Sequence, residues 1–218
     1  MNNFLKKLLT LLFCLSLFIV NAQTPAGFKP ATEAEQKEMM QRVSEVSTFL
    51  KTLRCDFVQK KTISILADEM VSEGKMFFKQ KDKLRWEYTK PFQYEFVMNG
   101  SQLMTISGNT KNIIDANASN AFREICKIII SGINGSGILD PARFSAKFFT
   151  GTKENLVSIV PKQKELKQMF KQIHIYFNKT DYSVNAVEID ELNGDKTFIE
   201  MKNKQINKEL SDEIFSIK

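Results

Sequence analysis

Apolar and polar residues alternate through much of residues 57–100, which is the pattern expected for strands of a sheet with one apolar face. The apolar positions keep one parity in two consecutive segments: Leu84, Trp86 and Tyr88, then Phe92, Tyr94, Phe96 and Met98. The intervening Arg85, Glu87 and Thr89 point to the opposite face. A sheet this rich in aromatic residues either buries its apolar face in a core or leaves part of it open to hold an apolar ligand.

Turn signals divide the chain into about eleven strands with mostly short connections. Asn99-Gly100 and Asn193-Gly194 each predict a hairpin, because both residue types tolerate positive φ. Strands are expected at about 55–65, 71–80, 83–89, 92–98, 102–107, 144–150, 156–161, 169–178, 184–190, 196–202 and near Ile214. Consecutive strands with short turns form an antiparallel meander, and so many strands rarely stay flat. The predicted fold is mainly β with helices (α+β), built on a curved antiparallel sheet or partial barrel.

Two helices are expected beside this sheet. Thr32 and Glu35 form a capping box at the start of the first, and apolar residues follow at helical spacing: Met39, Val43, Val46, Leu50 and Leu53. The second helix covers residues 120–133, where one stripe carries Phe122, Ile125, Cys126, Ile129 and Ile133. Three glycines at 132, 135 and 137 then make a mobile connection. The second helix is either a hinged lid over the apolar sheet or an ordinary helix packed on it.

The N-terminus has the organisation of a secretory signal peptide. Lys6-Lys7 precede an apolar run from Leu8 to Val20, and Val20-Asn21-Ala22 has the small-residue spacing of a cleavage site. This run of thirteen residues, interrupted by Thr10 and Ser16, is too short to span a bilayer, which needs about 20 apolar residues. We therefore expect a signal peptide at 1–22, a single domain at 23–218 and a location in the periplasm.

Little in the sequence suggests chemistry. His174 is the only histidine and alternates with apolar residues in a strand, and no Cys-x-x-Cys, Gly-x-Ser-x-Gly, phosphate-binding or His-Glu-x-x-His motif occurs. The net charge of +6 is spread along the chain, which does not favour nucleic acid as a partner. Cys55 and Cys126 either form a disulfide or remain two buried thiols. We expect no enzyme activity, no cofactor and no metal site.

The chain resembles the LolA family, the periplasmic outer-membrane lipoprotein carrier proteins. The specific part of the resemblance lies in residues 57–103: Phe57-x-Gln59, Glu73-Gly74, Leu84-x-Trp86, Pro91, Asn99-Gly100 and Leu103. A looser likeness continues through Leu139 and Pro141, Leu166-Lys167 and the hairpin from Glu188 to Thr197. The resemblance implies an unclosed β-barrel whose concave apolar face is covered by helices and receives the acyl chains of lipoproteins.

The resemblance also implies a binding site and partners. By strand parity, the lipid-binding residues are expected to be Phe57, Phe77, Leu84, Trp86, Tyr88 and Phe96. The lid would be formed by Phe122, Ile125, Ile129 and Ile133. The expected partners are acylated lipoproteins or another lipid, an inner-membrane lipoprotein-releasing transporter and an outer-membrane acceptor, and the carrier is expected to be a monomer. A carrier of another lipid or polyketide-like chain, or a non-enzymatic partner-binding β-protein, is the alternative.

One position departs from the family pattern. Family members often carry an Arg-Pro pair shortly before the tryptophan strand, and the arginine helps to hold the lid closed. Gln80-Lys81 stands there in this chain. Gln80 lacks the charge and the rigid donor fork of arginine, so we expect a lid that is held less firmly by polar contacts.

Overall fold

The computed structural model describes residues 24–66, 68–115, 130–131, 133 and 140–217. The elements, in chain order, are β1 (Phe28–Pro30), α1 (Glu33–Phe49), β2 (Thr52–Ile63), β3 (Asp68–Lys79), β4 (Lys83–Lys90), β5 (Tyr94–Asn99), β6 (Gln102–Ser107), β7 (Thr110–Asp115), β8 (Phe144–Gly151), β9 (Glu154–Pro161), α2 (Lys164–Lys167), β10 (Phe170–Asn178), β11 (Val184–Glu191), β12 (Lys196–Ile206) and a 3₁₀ turn at Asp212–Phe215. The signal peptide and most of the second predicted helix lie outside the described residues.

Within the described residues, twelve strands form one antiparallel sheet. Their order is β1-β8-β9-β10-β11-β12-β2-β3-β4-β5-β6-β7, so both halves of the chain are meanders and β12 joins them by pairing with β2. β1 and β7 end this order and do not pair with each other. The sheet is therefore not closed, which confirms the predicted fold class.

The sheet curls around one apolar core. Phe144 on β8 and Trp86 on β4 stand seven strands apart in the order, which would separate them by roughly 34 Å in a flat sheet. Both belong to the same cluster of buried side chains and both border the same cavity. The sheet thus has a concave face that holds this core and a convex face that points outward.

Helix α1 packs at one end of the concave face. Its capping box forms as predicted: the Thr32 hydroxyl accepts from the Glu35 N–H at 3.3 Å, and the Glu35 carboxylate accepts from the Thr32 N–H at 2.8 Å. Met39 and Val43 are buried in the core. The Tyr182 hydroxyl, in the β10–β11 turn, donates to Glu38 at 3.3 Å. We call this end of the sheet the helix end and the other end, with the β2–β3, β4–β5 and β11–β12 turns, the hairpin end.

Three strand assignments differ from the sequence prediction; in addition, the short helix α2 was not predicted, and Leu53, expected in the first helix, lies in β2. β1 has three residues and β7 is exposed at all six positions, so neither showed the alternation on which the strand assignments depended. The strand predicted near Ile214 is wrong. That segment forms the 3₁₀ turn, whose Phe215 is fully buried against the convex face, and the Asn99 amide donates to the Phe215 carbonyl at 3.2 Å.

Candidate functional site

An apolar cavity of about 300 Å³ lies inside the curled sheet. Most of its walls are aliphatic and aromatic side chains from the concave face, and four polar residues complete them. The lining residues are Gln59, Lys61, Trp86, Tyr88, Phe96, Ser131, Ile133, Phe144, Ile159, Phe170, Ile173, Ile175, Val187, Ile189, Thr197, Ile199 and Met201. A pocket with apolar walls and few polar groups suits an apolar ligand.

One wall of the cavity is an aromatic cluster. Phe57 and Trp86 have ring centroids 4.5 Å apart, and Tyr88 meets Phe57 edge-on at 5.2 Å. Trp86 stacks nearly parallel to Phe96 at 6.1 Å. Such pairs hold one another in fixed orientations, so this wall is rigid before any ligand arrives.

Apart from Ser131, the polar residues of the cavity lie toward the hairpin end. The Tyr88 hydroxyl donates to the Gln59 side-chain oxygen at 3.0 Å, and burial raises the pKa of Tyr88. The Lys61 ammonium donates to Glu191 at 2.9 Å, and this hydrogen bond raises the pKa of Lys61. Thr197 donates to the same Glu191 oxygen at 3.3 Å. Apart from Ser131, the cavity is therefore apolar in its depth and polar only where strands β2, β4 and β12 approach their turns.

The predicted lipid-binding residues divide into three groups. Trp86, Tyr88 and Phe96 line the cavity directly. Phe57 and Leu84 belong to the same core on the concave face but stand behind its lining.

The placement of Phe77 on the concave face is wrong. It packs on the convex face with Val97, Met104 and Phe215, and the Arg54 guanidinium lies 5.5 Å from its ring centre. Its neighbours Met76 and Phe78 are the residues of β3 that face the core.

The predicted lid is described at one position. Ile133 is helical and buried, and it lines the cavity. Phe122, Ile125 and Ile129 lie outside the described residues. Gln80 lies in the β3–β4 turn, where its amide donates to the Thr48 carbonyl of α1 at 3.4 Å.

Of the seventeen lining residues, thirteen were not predicted from the sequence, and nine of those are apolar. These residues come from the second half of the chain: Phe144, Ile159, Phe170, Ile173, Ile175, Val187, Ile189, Ile199 and Met201. The alternation of Ile173 and Ile175 around His174 was visible in the sequence. However, only the pairing of β12 with β2 shows that these side chains face the aromatic wall.

The other polar clusters lie away from the cavity. His174 is on the convex face, 3.9 Å from an Asp190 oxygen. A wider depression of about 630 Å³, also convex, is open to solvent and bordered by charged groups such as Lys83, Arg85 and Asp212, which suits an apolar ligand poorly. Among the described residues, no cluster of three or more His, Cys, Asp or Glu side chains is arranged to hold a metal ion.

Cys55 is a free thiol in the core, 1% exposed, and burial raises its pKa to about 12. Cys126, the other half of the disulfide considered from the sequence, lies outside the described residues. A thiol with so high a pKa is an inert packing residue rather than a nucleophile.

No helix in the described part of the chain has the length and apolar composition needed to cross a bilayer. The described residues thus form an open antiparallel sheet, curled around an apolar cavity, with a helix over one end. This is the architecture of a protein that encloses an apolar ligand, and comparisons with known proteins agree with it.

The family model of the outer membrane lipoprotein carrier protein LolA matches residues 48–218. The outer-membrane lipoprotein carrier protein of Francisella tularensis subsp. tularensis (strain WY96-3418) is 25% identical over 169 residues, which cover 78% of each chain. That of Francisella tularensis subsp. novicida (strain U112) is 26% identical over 162 residues, covering 71% of this chain and 75% of the relative. The chain belongs to the LolA family, and this membership supports a non-enzymatic role as a lipoprotein or lipid carrier.

Solved structures share the fold at low identity. The structure of an uncharacterised conserved protein from Thermus thermophilus superposes with a TM-score of 0.50 at 9% identity, covering 84% of this chain and 94% of that one. The Pseudomonas aeruginosa MucA/MucB complex gives a TM-score of 0.51 at 9% identity, covering 83% of this chain and 60% of that chain. At these identities the likeness concerns the fold alone.

Proposed function

We propose that this protein is a periplasmic carrier that binds the acyl chains of lipoproteins in its cavity and ferries them from the inner to the outer membrane. The observation that carries the proposal is the apolar cavity itself, enclosed by the concave face of the sheet and by Ile133. Membership of the LolA family supports the same role.

The cavity suits a chain of methylene groups. Each CH₂ transferred from water into apolar surroundings contributes about 0.8 kcal/mol, so an acyl chain gains affinity along its whole length without any polar contact. The deep part of the cavity, around Ile175 and Ile199, offers such surroundings. The role needs no catalytic group, in keeping with a non-enzymatic carrier.

The proposal includes a lid. The segment of residues 120–133 would cover the cavity, as the burial of Ile133 in the cavity wall supports. An inner-membrane lipoprotein-releasing transporter would load the carrier, and an acceptor at the outer membrane would unload it.

Native mass spectrometry of the protein purified from a periplasmic extract tests the proposal. We expect a fraction of the wild-type protein to carry an acylated polypeptide. The control is Ile199→Phe, which narrows the cavity and should carry less of that species than wild type while remaining folded. A free lipid or polyketide-like chain in its place would show a carrier of different cargo. An acylated polypeptide retained equally by the control would contradict binding in the cavity.

A further inference from the structure

Two neighbouring turns at the hairpin end present large aliphatic side chains to solvent. Ile65 and Leu66, in the β2–β3 turn, are 89% and 67% exposed, and Leu192, in the β11–β12 turn, is 60% exposed. We call these three residues the apolar tip. Single exposed aliphatic residues are common on protein surfaces, but three in adjacent turns at one end need an explanation.

Hydrogen bonds hold the two turns together. The Ser64 N–H donates to an Asp195 carboxylate oxygen at 3.0 Å, and the Ser64 hydroxyl donates to the Asn193 carbonyl at 3.1 Å. The strands behind the two turns are also paired, since Thr62 on β2 lies opposite Lys196 on β12. These contacts between the two turns hold the apolar tip together as one projection, rather than as two independent loops.

The apolar tip adjoins the polar side of the cavity. Lys61 lines the cavity and binds Glu191, the residue that immediately precedes Leu192. Lys61 is also only three residues before Ser64, where the β2–β3 turn begins. Any surface to which the apolar tip binds will therefore lie next to the polar side of the cavity.

Each lysine near the apolar tip faces a carboxylate, and the exposed Asp68 leaves the surroundings of the tip with an excess of negative charge. Residues 64–66 and 192–194 carry no ionisable side chain. The lysines just behind them each face a carboxylate: Lys60 lies 3.6 Å from Glu69, Lys61 2.9 Å from Glu191 and Lys196 3.2 Å from Asp190. The projection thus offers aliphatic side chains first, and behind them a layer in which every lysine already has a carboxylate partner.

From these features we infer that the apolar tip inserts into the interface of a lipid bilayer and docks the cavity against it. A protein interface needs on the order of 800 Å² of well-packed surface from each partner, whereas three side chains on narrow turns offer isolated projections. A fluid bilayer accepts such projections, because binding there scales with the apolar area buried and needs no matching shape. Since the nearby lysines are already paired with carboxylates, docking does not depend on anionic lipid.

Flotation with phosphatidylcholine vesicles tests this inference on the chain without residues 1–22. We expect the wild type to float with the vesicles at low and high salt alike. Leu66→Ser and Leu192→Ser should each lower the partition coefficient about tenfold, which corresponds to about 1.4 kcal/mol. The matched control is Phe49→Ser, because Phe49 is 72% exposed but lies at the helix end. That variant should float like the wild type.

Each other outcome overturns the inference. Wild-type protein that stays with the soluble fraction, or tip variants that float as well as wild type, would show that the tip does not bind lipid. If the wild type does not bind vesicles but forms a dimer, and Leu66→Ser makes it monomeric, the tip binds a second copy of the chain instead of lipid. Binding of an acyl chain to the same variants is measured separately and should be unchanged, so a failure of docking is distinguishable from a failure of the proposed carrier function.

Discussion

The phenyl ring of Phe57 on β2 occupies the space beside Gly74 on β3 where a side chain would otherwise stand. The two residues pair across the strands, and the ring tip lies 2.5 Å from the position that a Cβ at residue 74 would take. The absence of a side chain at 74 thus lets Phe57 lie flat against the sheet and support Trp86 from behind.

We expect Gly74→Ala to destabilise the fold. The added methyl group would collide with the Glu87 carbonyl oxygen as well as with the Phe57 ring, and overpacking of this kind costs about 1–3 kcal/mol. Urea denaturation measures the loss in the free energy of unfolding.

The comparison for this prediction is Gly108→Ala. Gly108 has a positive φ of 57° and open space around it, so its substitution adds strain in the backbone without any steric collision. If Gly74→Ala destabilised the fold no more than Gly108→Ala, the result would contradict the close packing of the Phe57 ring against Gly74.

The two faces of the sheet should respond differently to loss of a phenylalanine. Phe96 lines the cavity, so Phe96→Ala should weaken the binding of an acyl chain about tenfold, or about 1.4 kcal/mol. Phe77 packs on the convex face, so Phe77→Ala should lower the free energy of unfolding by about 1.5–3 kcal/mol with unchanged affinity. Titration of each folded variant with a fluorescent fatty acid gives the affinities. Equal losses of affinity in both variants would contradict the assignment of the faces.

The contact between the β2–β3 and β11–β12 turns should weaken in acid. The Ser64 N–H, helped by the Asn193 amide and Lys61, holds the pKa of Asp195 below its ordinary value of about 3.9. A carboxyl with a lowered pKa in the folded state stabilises the fold above its unfolded pKa and loses this contribution as the pH falls through the folded value.

The measurement is the difference in the free energy of unfolding between wild type and Asp195→Asn, followed from neutral to acidic pH. We expect wild type to be the more stable at neutral pH and the difference to shrink as the pH falls below about 4. A difference that does not change over this range would show that ionisation of Asp195 contributes nothing to the contact.

Local patterns predicted most of the sheet, because alternation and turn residues act over a few positions. Residues 102–107 matched β6 at both ends, and the capping box at Thr32 and Glu35 placed the start of α1. β7 escaped prediction, since its Thr, Lys, Asn and Asp positions are exposed on both faces of an edge strand.

The site was harder to predict than the sheet. Phe77 and Phe78 are consecutive, so only one of them faces the core, and the register of β3 on β4 decides which: Met76 pairs with Trp86 and Phe78 with Leu84. The isoleucines of β10–β12 reach the aromatic wall only because β12 pairs with β2 across the chain, which no short pattern reveals.

Quenching of Trp86 by a brominated fatty acid tests the central claim most directly. Trp86 is the only tryptophan of the chain and lines the cavity, and bromine quenches tryptophan emission at contact distance. If acyl chains bind in the cavity, the brominated chain should quench the emission saturably, and the same chain without bromine should compete and restore it. Unchanged emission at a concentration that saturates binding would show that the chain binds elsewhere and would contradict the assignment of the cavity as the carrier site.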